Sequence, residues 1–358
     1  MTGRDGAPAT RIPALDGLRA VSIVLVLLHH VQGTPGAPTA LGPLARALDA
    51  GNLGVRVFFV ISGFLITGLL VRELQASGTI ALRRFYYRRT LRIFPPAYVF
   101  LAVLALLTAA GMTQLRSWDI VAGLTYTMNF YLGEWTPRQW PVGHLWSLAV
   151  EEQFYLVWPA VLLWLGVRRG TALLVALALV VPVLRLAAVF GVLPAPLAAV
   201  SPFLLFADWL AIGGLMAMML PRALQSARYR SLRASGWWTV ALAASALAAW
   251  TAFGHWRVRE LTLIWTIVAV AFIVDQTTME APPRPIRLLA WAPVVWVGRL
   301  SYSLYLWQQL FFDRYSGHWW TAFPLNVVLA FAAAAASYYG VERPILAWRD
   351  RARHATAA

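Results

Sequence analysis

The sequence is divided into apolar stretches of about 20 residues, the length needed for a helix to cross the hydrocarbon core of a bilayer. They lie near 15–33, 53–74, 90–111, 145–167, 171–191, 201–220, 236–254, 259–277, 293–313 and 321–341. Lipid offers the backbone no hydrogen-bond partners, so a segment of this kind must be helical. Of the 358 residues, 60% are hydrophobic and 13% charged, against roughly 25% charged in a soluble domain. The 18 tryptophans suit two interfacial belts. The expected fold is an all-α, polytopic membrane bundle of ten spans. Residues 14–348 form the membrane domain, between a short segment 1–13 and a tail 349–358 expected to be disordered. Segment 1–13 lacks a small-residue cleavage pattern, so the first span is expected to act as an uncleaved signal anchor.

The basic residues set the orientation. The chain carries 30 of them against 15 acids, for a net charge of +15, and every one is arginine. The arginines flank apolar segments, which points to topology and anionic ligands rather than nucleic acid. An eleventh apolar stretch, 117–132, contains Asp119 and Asn129 and is short. If it does not cross, the loops with Arg72 to Arg92, Arg168 and Arg169, Arg222 to Arg233, and Arg284 and Arg287 all fall on one side. The positive-inside rule then puts both termini in the cytoplasm and makes 117–132 re-entrant or outer-surface. An orientation reporter after Pro194 is expected to read outside. Abundant Ala, Leu and Arg without Lys suggests a source of high G+C content, and the expected location is a bacterial cytoplasmic membrane, multi-pass. With no cysteine, disulfides, thiolate metal sites and cysteine nucleophiles are excluded.

Ionisable groups inside spans are costly and therefore informative. Arg19 and His30 stand eleven positions apart in the first span. That spacing returns to within roughly 20° of the same azimuth and covers about 16 Å of helix. An arginine near one membrane face is thus aligned with a histidine deep in the membrane, and His29 falls off that line. The second loop holds Arg83, Arg84, Arg88, Arg89 and Arg92 among aromatic residues, a pattern suited to bidentate phosphate binding or to an anionic-lipid anchor. Arg89 and Arg92 share a helix face. His144 and Glu151, seven apart at the start of the fourth span, also align, and Glu152 lies off their line. An imidazole with a carboxylate is a general-base arrangement, and on this topology His30 and the His144–Glu151 pair share the outer half of the membrane.

Two further regions stand out. Gly51 to Thr67 contains Arg56, and its Ser62 and Gly63 read as close packing beside the first span. Trp296 to Gln309 is polar and aromatic, suited to lining a cavity, binding a sugar ring or cross-linking helices. Asp16 is placed to pair with Arg19, Asp208 is an unexplained buried acid, and His255 and His318 read as interfacial. No two histidines have an i, i+4 ligand spacing, so no metal is expected.

Five motifs occur in order: Leu15-Asp-Gly-Leu-Arg19 with His30; Gly54-Val-Arg-Val-Phe-Phe-Val-Ile-Ser-Gly-Phe-Leu-Ile-Thr67; Phe85-Tyr-Tyr-Arg-Arg-Thr-Leu-Arg-Ile-Phe-Pro95; His144-Leu-Trp-Ser-Leu-Ala-Val-Glu-Glu-Gln-Phe-Tyr155; and Ser301-Tyr-Ser-Leu-Tyr-Leu-Trp307. With Val341-Glu-Arg-Pro344 closing the series, the chain resembles the acyltransferase-3 family of integral membrane acyltransferases. The resemblance implies a ten-span core that moves an acyl group, usually acetyl, from acyl-CoA to a hydroxyl. Acceptors are carbohydrates of surface polysaccharide, glycolipid or peptidoglycan, or macrolides. The family's basic-x10-His element falls on Arg19 and His30, its Arg-x-x-Arg element on Arg89 and Arg92, and its His–Glu element on His144 and Glu151. The expected roles follow. Arg88, Arg89 and Arg92 hold the donor phosphates, Arg19 stabilises the acyl-CoA or its thiolate, and His30 is the base or acyl carrier, oriented by Glu151. The family often has His after Tyr-Leu-Trp, where this chain has Gln308. The rival reading is a multi-span transporter or flippase of glycans or drugs with His30 and Glu151 as a proton relay, but no inverted repeat supports it.

Overall fold

The computed structural model describes residues 11–134, 136–192, 206–252 and 256–355. Among these the fold is helical, with no strand. The helices are α1 (Pro13–Val31), α2 (Leu41–Ala47), α3 (Ala50–Ser77), α4 (Leu82–Ala109), α5 (Ser117–Leu124), α6 (Trp140–Gly143), α7 (Leu145–Val189), α8 (Ala207–Ala223), α9 (Ala227–Ala234), α10 (Gly236–Ala252), α11 (Trp256–Thr277), α12 (Arg284–Leu289), α13 (Ala292–Phe311), α14 (Leu325–Ser337) and α15 (Arg343–Ala355). Five helices among the described residues are long and apolar enough to cross a membrane: α1, α3, α4, α7 and the run from Leu325 to Arg351. Each of the ten apolar segments read from the sequence has a helix on it. The stretch 201–205 and the site of the Pro194 reporter lie outside the described residues, as do His255 and residues 1–10.

Glycine holds the centre of the bundle together. Without lipid-free apolar burial to drive association, membrane helices approach through small residues. A Cβ on Gly54 of α3 would lie 2.5 Å from Ser22 O of α1. One on Gly298 of α13 would lie 1.8 Å from Asp16 O, and one on Gly17 of α1 would lie 1.9 Å from Leu289 O of α12. Gly63 of α3 and Gly213 of α8 interlock in the same way, against Leu210 O at 2.0 Å and Val60 O at 2.1 Å. Gly63 therefore packs on α8, not on the first span as its sequence context suggests. Gly54, nine residues earlier, makes the contact with α1.

The long helix α7 is two legs. Gly166 has φ 69° and ψ 176°, outside the helical region. Leu162 Cδ1 lies 2.9 Å from where a Cβ of Gly170 would sit. Eight residues of straight helix would separate those positions by about 12 Å, so the chain folds back at Gly166. The segment 117–132 is broken into α5 and a 3₁₀ turn, Met128–Glu134, and forms no single spanning helix. Asp119 and Asn129 in this segment have structural work. Asp119 Oδ2 accepts from Arg116 N at 2.8 Å and its Oδ1 from Gln139 Nε2 at 2.8 Å. Asn129 and Gln153 of α7 exchange amide hydrogen bonds at 3.1 and 3.0 Å.

Two charged residues and the C-terminal tail also differ from their sequence reading. Asp16 pairs with Arg11 at 2.6 Å rather than with Arg19. Asp208 is explained by Arg185, whose two terminal nitrogens donate to its two oxygens at 3.0 and 2.7 Å. The C-terminal tail is not disordered from 349 onward, because α15 continues to Ala355.

Candidate active site

Two cavities meet at the centre of the bundle. The first, of about 870 Å³, is bounded by α1, α3, α4, α7 and α13. Three guanidiniums line it: Arg19 from α1, and Arg89 and Arg92 from α4. Arg19 Nε donates to Ser301 Oγ at 3.2 Å. Arg89 stacks over the Tyr155 ring at 4.4 Å. The three-residue spacing turns Arg89 and Arg92 to one helix face, as read from the sequence. Arg88 is not among the residues that line this cavity. Two prolines, Pro95 and Pro96, stand inside α4 just beyond the arginines. They cannot donate to Leu91 O and Arg92 O one turn earlier; one residue on, Tyr302 of α13 donates to Ile93 O at 2.6 Å.

Glu151 of α7 is the acid of this chamber. Its Oε1 accepts from Ser62 of α3 and from Tyr155 one turn along its own helix. Glu342 sits nearby in a π-helical turn, Tyr338–Glu342, where its Oε2 accepts from Ser303 Oγ at 3.4 Å. It is close enough to Arg19 and Arg92 for its charge to act on both. π-Bulges inside helices are frequent at functional sites.

The second cavity, of about 700 Å³, is lined by His29, His30, His144, Trp140, Trp146 and Gln309, among others. Two residues line both cavities, Val55 of α3 and Tyr305 of α13. Arg19 and His30, on one face of α1, thus open into adjoining chambers. The structure brings His30 and His144 together and puts Glu151 with the arginines instead. Glu151 is therefore not the orienting partner of His30: its carboxylate is turned into the arginine chamber by Ser62 and Tyr155.

The two histidines differ in what their nitrogens do. His144 Nδ1 is 2.8 Å from Gln309 Oε1, which also accepts from His144 N, and its Nε2 is 3.1 Å from Leu306 O. Both ring nitrogens face carbonyl oxygens, so neither presents a lone pair to the cavity. His30 Nδ1 is buried and makes no hydrogen bond among the described residues. The His30 ring is held instead by edge contacts with Trp140, at 5.6 Å, and His29, at 5.1 Å. The Gln308 side chain lies within hydrogen-bonding reach of the His30 ring. It too carries unpartnered amide atoms.

A residue missed in the sequence completes this end. Arg314, just after α13, stacks over Trp140 at 4.4 Å, and its Nη2 lies 3.4 Å from both His29 O and His30 O. It caps the carbonyl end of α1, where a cation is favoured. A signal for it existed: Arg314 is an arginine on the side where the loop pattern places few. Arg56, also conspicuous in the sequence, is enclosed by the rings of Trp209, Phe206 and Trp250 at 5.2, 5.6 and 5.8 Å.

The family described as an acyltransferase domain matches residues 12–341. The chain belongs to the acyltransferase-3 family. An aligned stretch of 163 residues is 32% identical to peptidoglycan O-acetyltransferase OatA of Listeria monocytogenes, covering 42% of this chain and 24% of that protein. O-acetyltransferase OatA of Staphylococcus aureus is 34% identical over 165 residues, 43% of this chain and 25% of that one. The chain thus matches about a quarter of the length of these curated relatives. No solved structure matches it. In this acyltransferase-3 chain Arg19, Arg89 and Arg92 line one cavity and His30 and His144 the adjoining one.

Proposed function

We propose that this protein is a membrane O-acyltransferase that moves an acetyl group from acyl-CoA to a hydroxyl of a carbohydrate-containing acceptor, either a surface glycan or a macrolide-type metabolite. The proposal includes ten crossings, both termini cytoplasmic, in a bacterial cytoplasmic membrane. The observation that carries the chemistry is a contrast among the three histidines of the second chamber: His30 has a buried nitrogen without a partner, whereas both ring nitrogens of His144 face carbonyl oxygens.

Three guanidiniums converging on one chamber fit a polyanionic donor, since arginine forks bind phosphate oxygens in a bidentate manner. Arg89 and Arg92 hold the donor phosphates from the cytoplasmic side, with Arg19 at the inner end of the chamber stabilising the thioester arm. Glu151, clasped by Ser62 and Tyr155, fixes α3 and α7 around that site and balances part of its charge. His30, in the tautomer that leaves Nδ1 unprotonated, takes the proton of the acceptor hydroxyl. That oxygen bonds to the thioester carbonyl carbon, the carbon–sulfur bond breaks, and the imidazolium returns the proton to the departing thiolate. The bilayer keeps bulk water from the reacting carbonyl.

The test is thiol release from acetyl-CoA by the purified protein in nanodiscs, with and without added glycans and macrolides. Release that depends on an acceptor and is lost in His30→Ala supports the reading. No release with any acceptor, or full release by a folded His30→Ala protein, contradicts it.

A further inference from the structure

Arg19 and His30 are on one helix face, separated by about 16 Å of helix. A donor held by the arginines must therefore pass its acyl end from the first cavity into the second. Val55 and Tyr305 are the residues that line both, so a passage from one cavity to the other is bounded by them.

Neither wall is free to move. Val55 follows Gly54, whose backbone is pressed against Ser22 O of α1, and a β-branched side chain in a helix has one strongly preferred rotamer. The Tyr305 hydroxyl donates to His144 O at 2.5 Å and is 2.5 Å from Ser147 Oγ. Its ring packs edge-on against His144 at 5.1 Å. Both side chains are buried. An opening between two fixed walls discriminates by the girth of what passes, not by its length. A linear acyl group presents the cross-section of the thioester arm itself, and an α-branched one adds a methyl at the widest point.

We infer that Val55 and Tyr305 form a fixed aperture that admits unbranched acyl groups and excludes α-branched ones. This rests on the acyl-CoA reading above and adds to it the class of donor accepted.

Butyryl-CoA and isobutyryl-CoA separate girth from size, because they are isomers with the same atoms. Thiol release by the nanodisc-reconstituted protein is measured with acetyl-, butyryl- and isobutyryl-CoA. The wild type is expected to favour butyryl over isobutyryl by at least about tenfold in kcat/KM, the lower end of what one misplaced methyl decides in an apolar pocket. Val55→Ala is expected to shrink that preference about tenfold, and Val55→Ile, which keeps the branch and fills more space, to enlarge it. Tyr305→Phe, which removes the hydroxyl tether and keeps the ring, is expected to shrink it by less. Equal use of the two isomers by the wild type overturns the inference, as does a preference unchanged in both folded Val55 variants. A wild type that releases thiol from acetyl-CoA isolates such a result to the aperture. One that releases thiol from none of the three removes the donor reading as well.

Discussion

The two adjoining chambers share two wall residues and little else. The first gathers three guanidiniums and a carboxylate, and its acid is clasped by Ser62 and Tyr155. The second has three imidazoles, and among its lining residues His30 Nδ1 is buried without a partner. A site that holds an anion benefits from convergent cations fixed in place. A site that moves a proton needs a lone pair left open. The division therefore separates holding the donor from reacting it, along a single face of α1.

Substitutions can break or sharpen that division. The largest effect is expected at Gly54, whose contact with α1 supports both chambers. Gly54→Leu drives a side chain into Ser22 O and is expected to abolish folded protein, read as loss of a monodisperse peak in detergent size-exclusion chromatography. Next comes His30→Ala, expected to lower kcat by about 10² to 10⁴, the range of a lost general base, with little change in donor KM. Arg89→Ala is expected to act the other way. It raises donor KM about tenfold to a hundredfold, as loss of a charge-assisted contact does, and Lys restores part of that because it lacks the fork. Each is read from initial rates over a range of acetyl-CoA concentrations. The smallest effect on chemistry is expected at His144. His144→Ala leaves Gln309 and Leu306 O without partners and should cost about 1–3 kcal/mol of stability, measured by thermal unfolding, with kcat reduced far less than in His30→Ala. If His144→Ala matched His30→Ala in kcat, the distinction between the two imidazoles would be wrong.

Much of this arrangement was legible in the sequence, for definite reasons. Helical phase joins Arg19 to His30 and Arg89 to Arg92, because residues on one helix need only a period of 3.6 to be placed. Segment 117–132 was recognisable as exceptional because a spanning helix there would carry every later arginine cluster to the wrong face. What crosses between helices was not legible. The same helical phase aligned His144 with Glu151. It did not show that Glu151 reaches Ser62 of α3 while His144 is tied to Gln309 of α13. Asp16 was read against the arginine three residues on, but the nearer partner was Arg11 before the helix. Asp208 had no visible partner because Arg185 lies on a different helix. Gly63 carried a packing signal with no address: small residues announce a close approach but not which helix makes it.

The central claim is that donor holding and proton transfer are done by different residues in different chambers. Its most direct test is binding of acetyl-CoA, by calorimetry, to purified His30→Ala protein alongside Arg89→Ala. The account predicts that His30→Ala binds the donor as the wild type does while releasing thiol about 10² to 10⁴ times more slowly, and that Arg89→Ala binds it weakly. Loss of donor binding in His30→Ala, or wild-type binding in Arg89→Ala and in Arg92→Ala, would contradict it.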